Sequence, residues 1–257
     1  MINLRFLGTG GLGAARSRKK LSKDYRRFPT LLIDEKIIID PSEDMFEFEE
    51  SFMLGGIFRG AHDVFITSSQ LDHLSVTAIE KLAAHGGVRV FGNAAVTSEL
   101  ASSNGVETVT LAPFGLIKLG EYAILPLPAN VRTDTTAETA LNFLIEKGDK
   151  TFFYGIDGAF INHNAWQVLK EATLNAVILD CAAGDAPYSA SCVSHNNLAM
   201  ATAVKDILIA EGAATDSTKF VLSHLPTRKT GSLHDELCEK AGEIGFKVAY
   251  DGYFIGI

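Results

Sequence analysis

The chain has 257 residues, of which 47% are hydrophobic, 21% charged and 9% aromatic, the composition of a folded protein with a sizeable core and not of a disordered, collagenous or disulfide-stapled chain. Its 23 Lys and Arg stand against 31 Asp and Glu, a formal charge of −8, so broad non-specific nucleic-acid binding is not expected. No apolar run approaches the ~18 residues that cross a bilayer, and Asn3 and Arg5 interrupt any N-terminal signal core, so the expectation is a cytoplasmic protein without a membrane partner.

In chain order, residues 4–7, 30–34, 36–40 and 64–67 predict strands, and the single residue Glu35 between the second and third predicts a hairpin. After the first strand, Gly8-Thr9-Gly10-Gly11-Leu12-Gly13 matches the letters of a dinucleotide-binding fingerprint. That fingerprint needs a helix to open within the glycines. Here Ala14 and Ala15 lead into Arg16, Arg18, Lys19, Lys20, Lys23, Arg26 and Arg27, so a glycine turn feeding a basic loop is favoured. Leu21, Tyr25 and Phe28 share helical spacing and leave a short helix open. The basic run reads equally as a solvated loop or as a flap over a phosphate-bearing substrate. Glu43, Asp44, Glu47, Glu49 and Glu50 read as the solvated face of a helix that starts near Ser42.

Farther along, 88–91, 108–111, 122–127, 141–145, 151–154, 176–180, 220–222, 247–250 and 254–257 predict strands. One-sided apolar stripes predict helices at Val76, Ile79 and Leu82; at Trp166, Leu169 and Ala172; at Met200, Val204, Ile207 and Leu208; and at Leu233, Leu237, Ala241 and Ile244. Such helices cover sheets from outside. With no linker and no repeat, residues 1–257 are expected to form a single α/β domain. Cys181, Cys192 and Cys238 are odd in number and contain no C-x-x-C pair, which predicts reduced, buried, structural thiols.

The chemistry concentrates at strand ends. Residues 64–73, ending in Asp72 and His73, read as a buried strand that delivers a carboxylate and an imidazole just before a helix. Alone, Asp72 would be an N-cap and His73 a packing residue. Asp157 follows the aromatic strand at 151–154, and His224 follows the strand at 220–222. Two oxygen and two nitrogen donors from separate strand ends suit zinc, iron or manganese better than copper. Asp72, His73 and His224 also compose the two-histidine, one-carboxylate set of iron enzymes.

These segments together resemble the metallo-β-lactamase superfamily. The residues that carry the likeness are the opening strand with its glycine turn, Ile39-Asp40-Pro41, the strand leading to Asp72-His73, Tyr154-Gly155-Ile156-Asp157-Gly158 and Ser223-His224-Leu225. The nearest branch holds the tRNA 3′-processing endonucleases, the phosphoribosyl cyclic phosphodiesterases and the pyrroloquinoline-quinone biosynthesis protein B. The resemblance spans nearly the whole chain and implies a four-layer αββα sandwich with a metal site at one edge of the sheets. The family's H-x-H-x-D-H motif falls on residues 68–73, with Ser68 and Gln70 where two histidines of the first metal position would stand. Asn130 takes the place of the third. Hydroxyl and carboxamide groups are poor ligands beside imidazole, so the resemblance implies one divalent ion, at Asp72, His73, Asp157 and His224, with zinc the first choice and iron or manganese the alternatives.

A similar S-Q-x-D-H variant occurs in the quinone-biosynthesis protein, as do segments like Pro41-Ser42-Glu43-Asp44 and Val248-Ala249-Tyr250-Asp251-Gly252. Its cysteine-rich N-terminal motif is missing here. In the phosphodiesterase branch, a histidine at the place of His195 lies beside the metals.

The leading expectation is a metal-dependent hydrolase of a phosphodiester or related ester in a small molecule or larger substrate. Asp157 would accept the proton of the attacking water, His195 would protonate the leaving group, and Ser68, Gln70 and Asn130 would bind substrate. The alternatives are an iron-dependent oxygenase and a catalytically degenerate binding or regulatory protein. A homo-oligomer is left open.

Overall fold

The computed structural model describes residues 1–11, 19–131, 138–187, 194–226 and 233–257. The N-terminal half contains β1 (Asn3–Gly8), β2 (Thr30–Ile33), β3 (Ile37–Ile39), α1 (Asp44–Ser51), β4 (Asp63–Phe65), α2 (Val76–Ala83), β5 (Val88–Gly92), α3 (Ala94–Glu99) and β6 (Val106–Thr110). The middle of the chain supplies β7 (Ile117–Leu119), β8 (Tyr122–Pro128), β9 (Leu141–Lys147), β10 (Lys150–Gly155), α4 (His163–Leu169) and β11 (Ala176–Asp180). The remainder is α5 (Leu198–Ala210), β12 (Lys219–Ser223), α6 (His234–Glu243), β13 (Phe246–Val248) and β14 (Phe254–Gly256).

Two seven-stranded sheets result, ordered β14-β1-β2-β3-β4-β5-β6 and β13-β12-β11-β10-β9-β8-β7. The expected hairpin is present, with β2 and β3 antiparallel and Ile33 opposite Ile37. From β3 to β6 the strands are parallel, as are β10 to β13. Parallel runs carry their carboxyl ends to one edge, where α/β folds place their sites.

Strand periodicity sorts the core into three layers. Ile37 and Ile39 face the apolar layer between the sheets, together with Phe6, Leu31, Phe152, Tyr154 and Ile178. The alternate residue Ile38 faces outward with Leu32 and Val64, where Met45 and Phe48 of α1, Ile79 and Leu82 of α2 and Val96 of α3 cover the first sheet. On the second sheet, Phe153, Val177 and Leu222 meet Leu169 of α4, Val204 and Leu208 of α5 and Leu237 of α6. Helices, sheet, sheet and helices make the αββα sandwich. The caps match their sequence types: Ser75 accepts from Ala78 N at 3.2 Å and Asn197 from Met200 N at 2.8 Å.

Several expectations change. Helix α3 carried too short an apolar pattern to be read, and Asn93 nucleates it by accepting from Ala95 N and Val96 N. Strand β7 has three residues only, too few for alternation to register. Between Lys19 and Phe28 the described chain makes turns, not a helix. The basic segment is not uniformly solvated, for Arg26 and Arg27 are buried. Arg27 Nη1 lies 3.2 Å from Asp251 Oδ2 and its Nη2 lies 2.9 Å from Glu47 Oε1. The acidic face of α1 is likewise partly enlisted: Glu47 also accepts from Tyr25 and Lys20, and Glu49 from the backbone of Gly56 and Ile57. Cys181 is buried as expected, whereas Cys238 is half-buried. Cys192, Arg16, Arg18 and the end of the glycine fingerprint lie outside the described residues. Among the described residues no helix is long and apolar enough to cross a membrane.

Candidate metal centre

Three chain turns present the predicted groups. After β4, the carbonyl of Gln70 accepts from His73 N at 2.9 Å and Leu74 N at 2.8 Å, a tight turn that sets Asp72 and His73 side by side. After β10, Asp157 has φ 53°, and after β12, His224 has φ 53°. Asp40, at the end of β3, has φ 51°. Non-glycine residues held in the left-handed region are costly, and they collect at sites whose surroundings over-determine them.

Asp72, His73, Asp157 and His224 come together and are all buried. His73 Nε2 lies 3.7 Å from Asp72 Oδ2 and 3.6 Å from Asp157 Oδ2, and His224 Nε2 lies 3.3 Å from Asp72 Oδ2. Donors around a tetrahedral zinc are separated by roughly 3.3–3.6 Å. Asp72 Oδ1, His73 Nε2 and both carboxylate oxygens of Asp157 are buried without a hydrogen-bond partner. Buried polar atoms are nearly always satisfied, and four orphans on three adjacent residues fit a cation that they share.

Each imidazole is aimed by a carboxylate behind it. His73 Nδ1 lies 2.8 Å from Asp40 Oδ2, which also accepts from Thr67 Oγ1 at 2.7 Å while Asp40 Oδ1 accepts from Thr67 N at 2.8 Å. His224 Nδ1 lies 2.7 Å from Asp180 Oδ2. Asp180 Oδ1 accepts from Ala182 N at 3.0 Å and Asn196 N at 2.9 Å, and Oδ2 receives His195 Nδ1 at 3.1 Å as well. Asp180 thus meets two backbone donors and the Nδ1 atoms of His195 and His224, and with Asp157, His195 and His224 it forms one of two His/Asp groups, among the described residues, whose donor atoms lie within 4.8 Å of one another, the other being Asp72, His73 and His224. Both histidines thus turn Nε2 inward, the second-layer arrangement typical of metal-binding imidazoles.

The charge balance points the same way. Burial pushes the His73 imidazole down, but the charges of Asp40 and Asp157 overcome it and lift it to about 9. Burial also opposes protonation of His224, yet Asp180 and the hydrogen bonds to Asp180 and Asp72 raise it well above its ordinary value. Asp72 is pushed up by burial but held well below the carboxylate range by the His224 hydrogen bond and the charge of His73. Asp180 is lowered to about 2 against its burial by His224 and His195. Asp72 and Asp180 are thus held ionised by the imidazoles beside them, whereas burial pushes the Asp40 carboxyl up.

His195 lies at the rim, its side chain 34% exposed, with Nδ1 3.7 Å from Asp157 Oδ1 and its ring centroid 5.3 Å from that of His224. The substrate-binding candidates are less alike. Ser68 is buried and accepts from Gln70 N at 3.4 Å. Asn130 donates from Nδ2 to Ala159 O at 2.6 Å, and its backbone carbonyl accepts from Ala159 N at 3.2 Å. One amide hydrogen of Asn130 therefore braces the loop that carries Asp157. Asp40 and Asp180 had no role assigned from sequence, although both end strands as Asp157 does.

Gly11 completes the enclosure. A Cβ there would stand 2.8 Å from His224 Cε1 and 3.0 Å from Nε2, so the glycine turn lets the N-terminal strand close over the imidazole. Gly8 is equally constrained, since its Cβ would fall 1.8 Å from the carbonyl oxygen of Phe28. Gly8 and Gly11 thus serve close approach.

Among protein families, the one described as beta-lactamase superfamily domain matches residues 35–240. Among solved structures, the metallo-β-lactamase fold protein YhfI from Bacillus subtilis is similar at 16% identity over 99% of this chain and 98% of that one, with a TM-score of 0.75. A diphosphatase from the PhnP family is similar at 17% identity over 99% and 96%, with a TM-score of 0.73. Zn(2+)-bound PqqB from Methylobacterium extorquens follows at 13% identity over 99% and 100%, with a TM-score of 0.70. Identities this low establish a common fold. No curated protein matches the chain.

Proposed function

The chain belongs to the metallo-β-lactamase superfamily, and from that premise we propose that it is a metal-dependent hydrolase of a phosphodiester or related ester, working with one divalent ion at Asp72, His73, Asp157 and His224. The observation that carries the reading is the set of four partnerless buried atoms on Asp72, His73 and Asp157, with donor separations of 3.3–3.7 Å. Two carboxylates and two imidazoles favour zinc, with manganese or iron as the alternatives. Ser68, Gln70 and Asn130 stand where the superfamily's motif carries histidines, which supports one ion and not two.

An ion bound there would polarise the scissile oxygen and acidify the attacking water. Asp157 would take the proton of that water on the carboxylate oxygen that does not hold the ion. His195, anchored through Nδ1 to Asp180, delivers a proton from its other nitrogen to the departing alkoxide or phenolate. The water oxygen thereby joins the phosphorus or acyl carbon, the ester bond breaks, and the leaving group departs as an alcohol. Gln70 and Asn130 supply carboxamides toward the substrate. That diphosphatase folds the same way, which supports testing phosphate esters first.

The test is elemental analysis of untagged protein purified without chelator, followed by hydrolysis of methyl p-nitrophenyl phosphate. About one equivalent of zinc or manganese, with activity lost in Asp72→Ala and His224→Ala, is the expected result. Two equivalents would refute the single-ion site. Iron with oxygen-dependent turnover, or full function in both folded variants, would refute the hydrolase.

A further inference from the structure

Phe160 has φ 57°, a conformation that a bulky side chain adopts only when its surroundings impose it. The imposing contact is a 2.7 Å hydrogen bond from Phe160 N to Asn196 Oδ1. Asn196 is fully buried and its own N donates to Asp180 Oδ1. Phe160 is therefore tied to the carboxylate that orients His224 and His195. This strain secures no core packing, for the Phe160 side chain is 45% exposed.

A second exposed apolar residue is next in the chain to a residue of the same centre. Leu71 is 79% exposed and immediately precedes Asp72, while Phe160 follows Asp157 by three residues. Asp72 and Asp157 both approach His73 Nε2, at 3.7 and 3.6 Å, so the two segments that carry these apolar side chains meet at one point. Strained backbone that leaves an aromatic residue exposed three positions after Asp157 lowers stability unless a ligand covers the ring.

Building on the hydrolase reading, we propose that Phe160, with Leu71 on the neighbouring Asp72 segment, is a specificity-determining platform that stacks a planar aromatic ring of the substrate. The substrate class is then a phosphate ester bearing a nucleobase-like ring, in preference to a plain alkyl ester. Stacking of a base on an aromatic side chain is sequence-tolerant and makes binding about tenfold or more tighter. Asn196 acts through Phe160 and is a positioning residue.

The experiment measures binding of thymidine 5′-monophosphate and of methyl phosphate to zinc-loaded protein by titration calorimetry. The native protein is expected to bind the nucleotide about tenfold more tightly. Phe160→Ala should abolish that preference, Phe160→Trp should keep it, and Leu71→Ser should weaken it. Phe160→Gly separates this from a structural role: glycine accepts the positive φ without cost, so its melting temperature should hold or rise while the preference disappears. Equal binding of the two phosphates, no detectable nucleotide binding, or a preference that survives in both Phe160→Ala and Phe160→Gly overturns the proposal. Hydrolysis of methyl p-nitrophenyl phosphate reports separately on the function. Preference without turnover sinks the hydrolase and leaves the platform standing, and turnover without preference sinks the platform alone.

Discussion

Asp180→Asn changes one atom and isolates what the carboxylate does for the imidazoles. Asp180 Oδ1 accepts from two backbone N–H groups and Oδ2 faces Nδ1 of both His224, at 2.7 Å, and His195, at 3.1 Å. If the new carbonyl keeps the two backbone donors, the new NH2 confronts the two ring nitrogens. His224 must then accept at Nδ1 and carry its proton on Nε2, the atom that faces Asp72 at 3.3 Å. The opposite amide orientation sets NH2 against the backbone N–H groups. Either arrangement disorders the ligand, and loss of such an orienting partner weakens metal binding by about 10–100-fold, equivalent to about 1.4–2.7 kcal/mol. Zinc competition against a chromophoric chelator measures this, with melting followed by circular dichroism to confirm folding. Asp40→Asn should act in the same direction through His73. A folded Asp180→Asn protein whose zinc affinity stays within about twofold of the native value would refute the assignment of Asp180 as the orienting group.

Three further outcomes are expected. Gly11→Ala places a Cβ 2.8–3.2 Å from three atoms of the His224 ring at a residue without positive φ, so overpacking should cost about 1–3 kcal/mol and weaken zinc binding; unchanged melting and affinity would contradict the enclosure. Arg27→Leu leaves Asp251 buried without its 3.2 Å partner, and guanidinium unfolding should show a loss of about 3–5 kcal/mol; a loss under about 1 kcal/mol would show that the pair is not a stabilising unit. His234 gives the pH dependence. Burial, reinforced by Arg26 and Lys23 and opposed by Asp235 and Asp24, pushes this imidazole from 6.5 to about 4; Arg26 Nη2 lies 3.4 Å from its Nδ1 and the Cys238 thiol 3.2 Å from its Nε2. The folded state thus prefers neutral His234, so its contribution is full above 6.5 and fades as pH falls toward 4. Urea midpoints at about pH 7.5 and 5 should drop further in the native protein than in His234→Asn, and parallel drops would reject this assignment.

Much of this molecule was legible in the chain because its strands are short apolar runs bounded by turn residues. Ile37, Ile38 and Ile39 alternate between the inter-sheet layer and the helix layer, and the one-residue gap at Glu35 left a hairpin as the simple connection. The same logic exposed Asp72, His73, Asp157 and His224, since a polar pair or a lone carboxylate directly after a buried run announces itself. Short elements did not: α3 and β7 offer six and three residues, less than a pattern needs to repeat. Arg26 and Arg27 read as part of a solvated loop or a substrate flap because charge in sequence says nothing about a buried partner more than 200 positions away.

What the sequence by itself determined is the succession of strands and one-sided helices and the donor groups at the strand ends, for both follow from local pattern and side-chain chemistry, while the four-layer order was implied by the resemblance to a known superfamily. Only the tertiary structure decided that Asp40 stands behind His73 across 33 positions and Asp180 behind His224 across 44, that Gly11 leans on His224, and that Asn196 holds Phe160 in strained backbone. The reason is physical: a hydrogen bond or a van der Waals contact is fixed by distance in space, and strands far apart in the chain acquire that distance only when the sheets assemble.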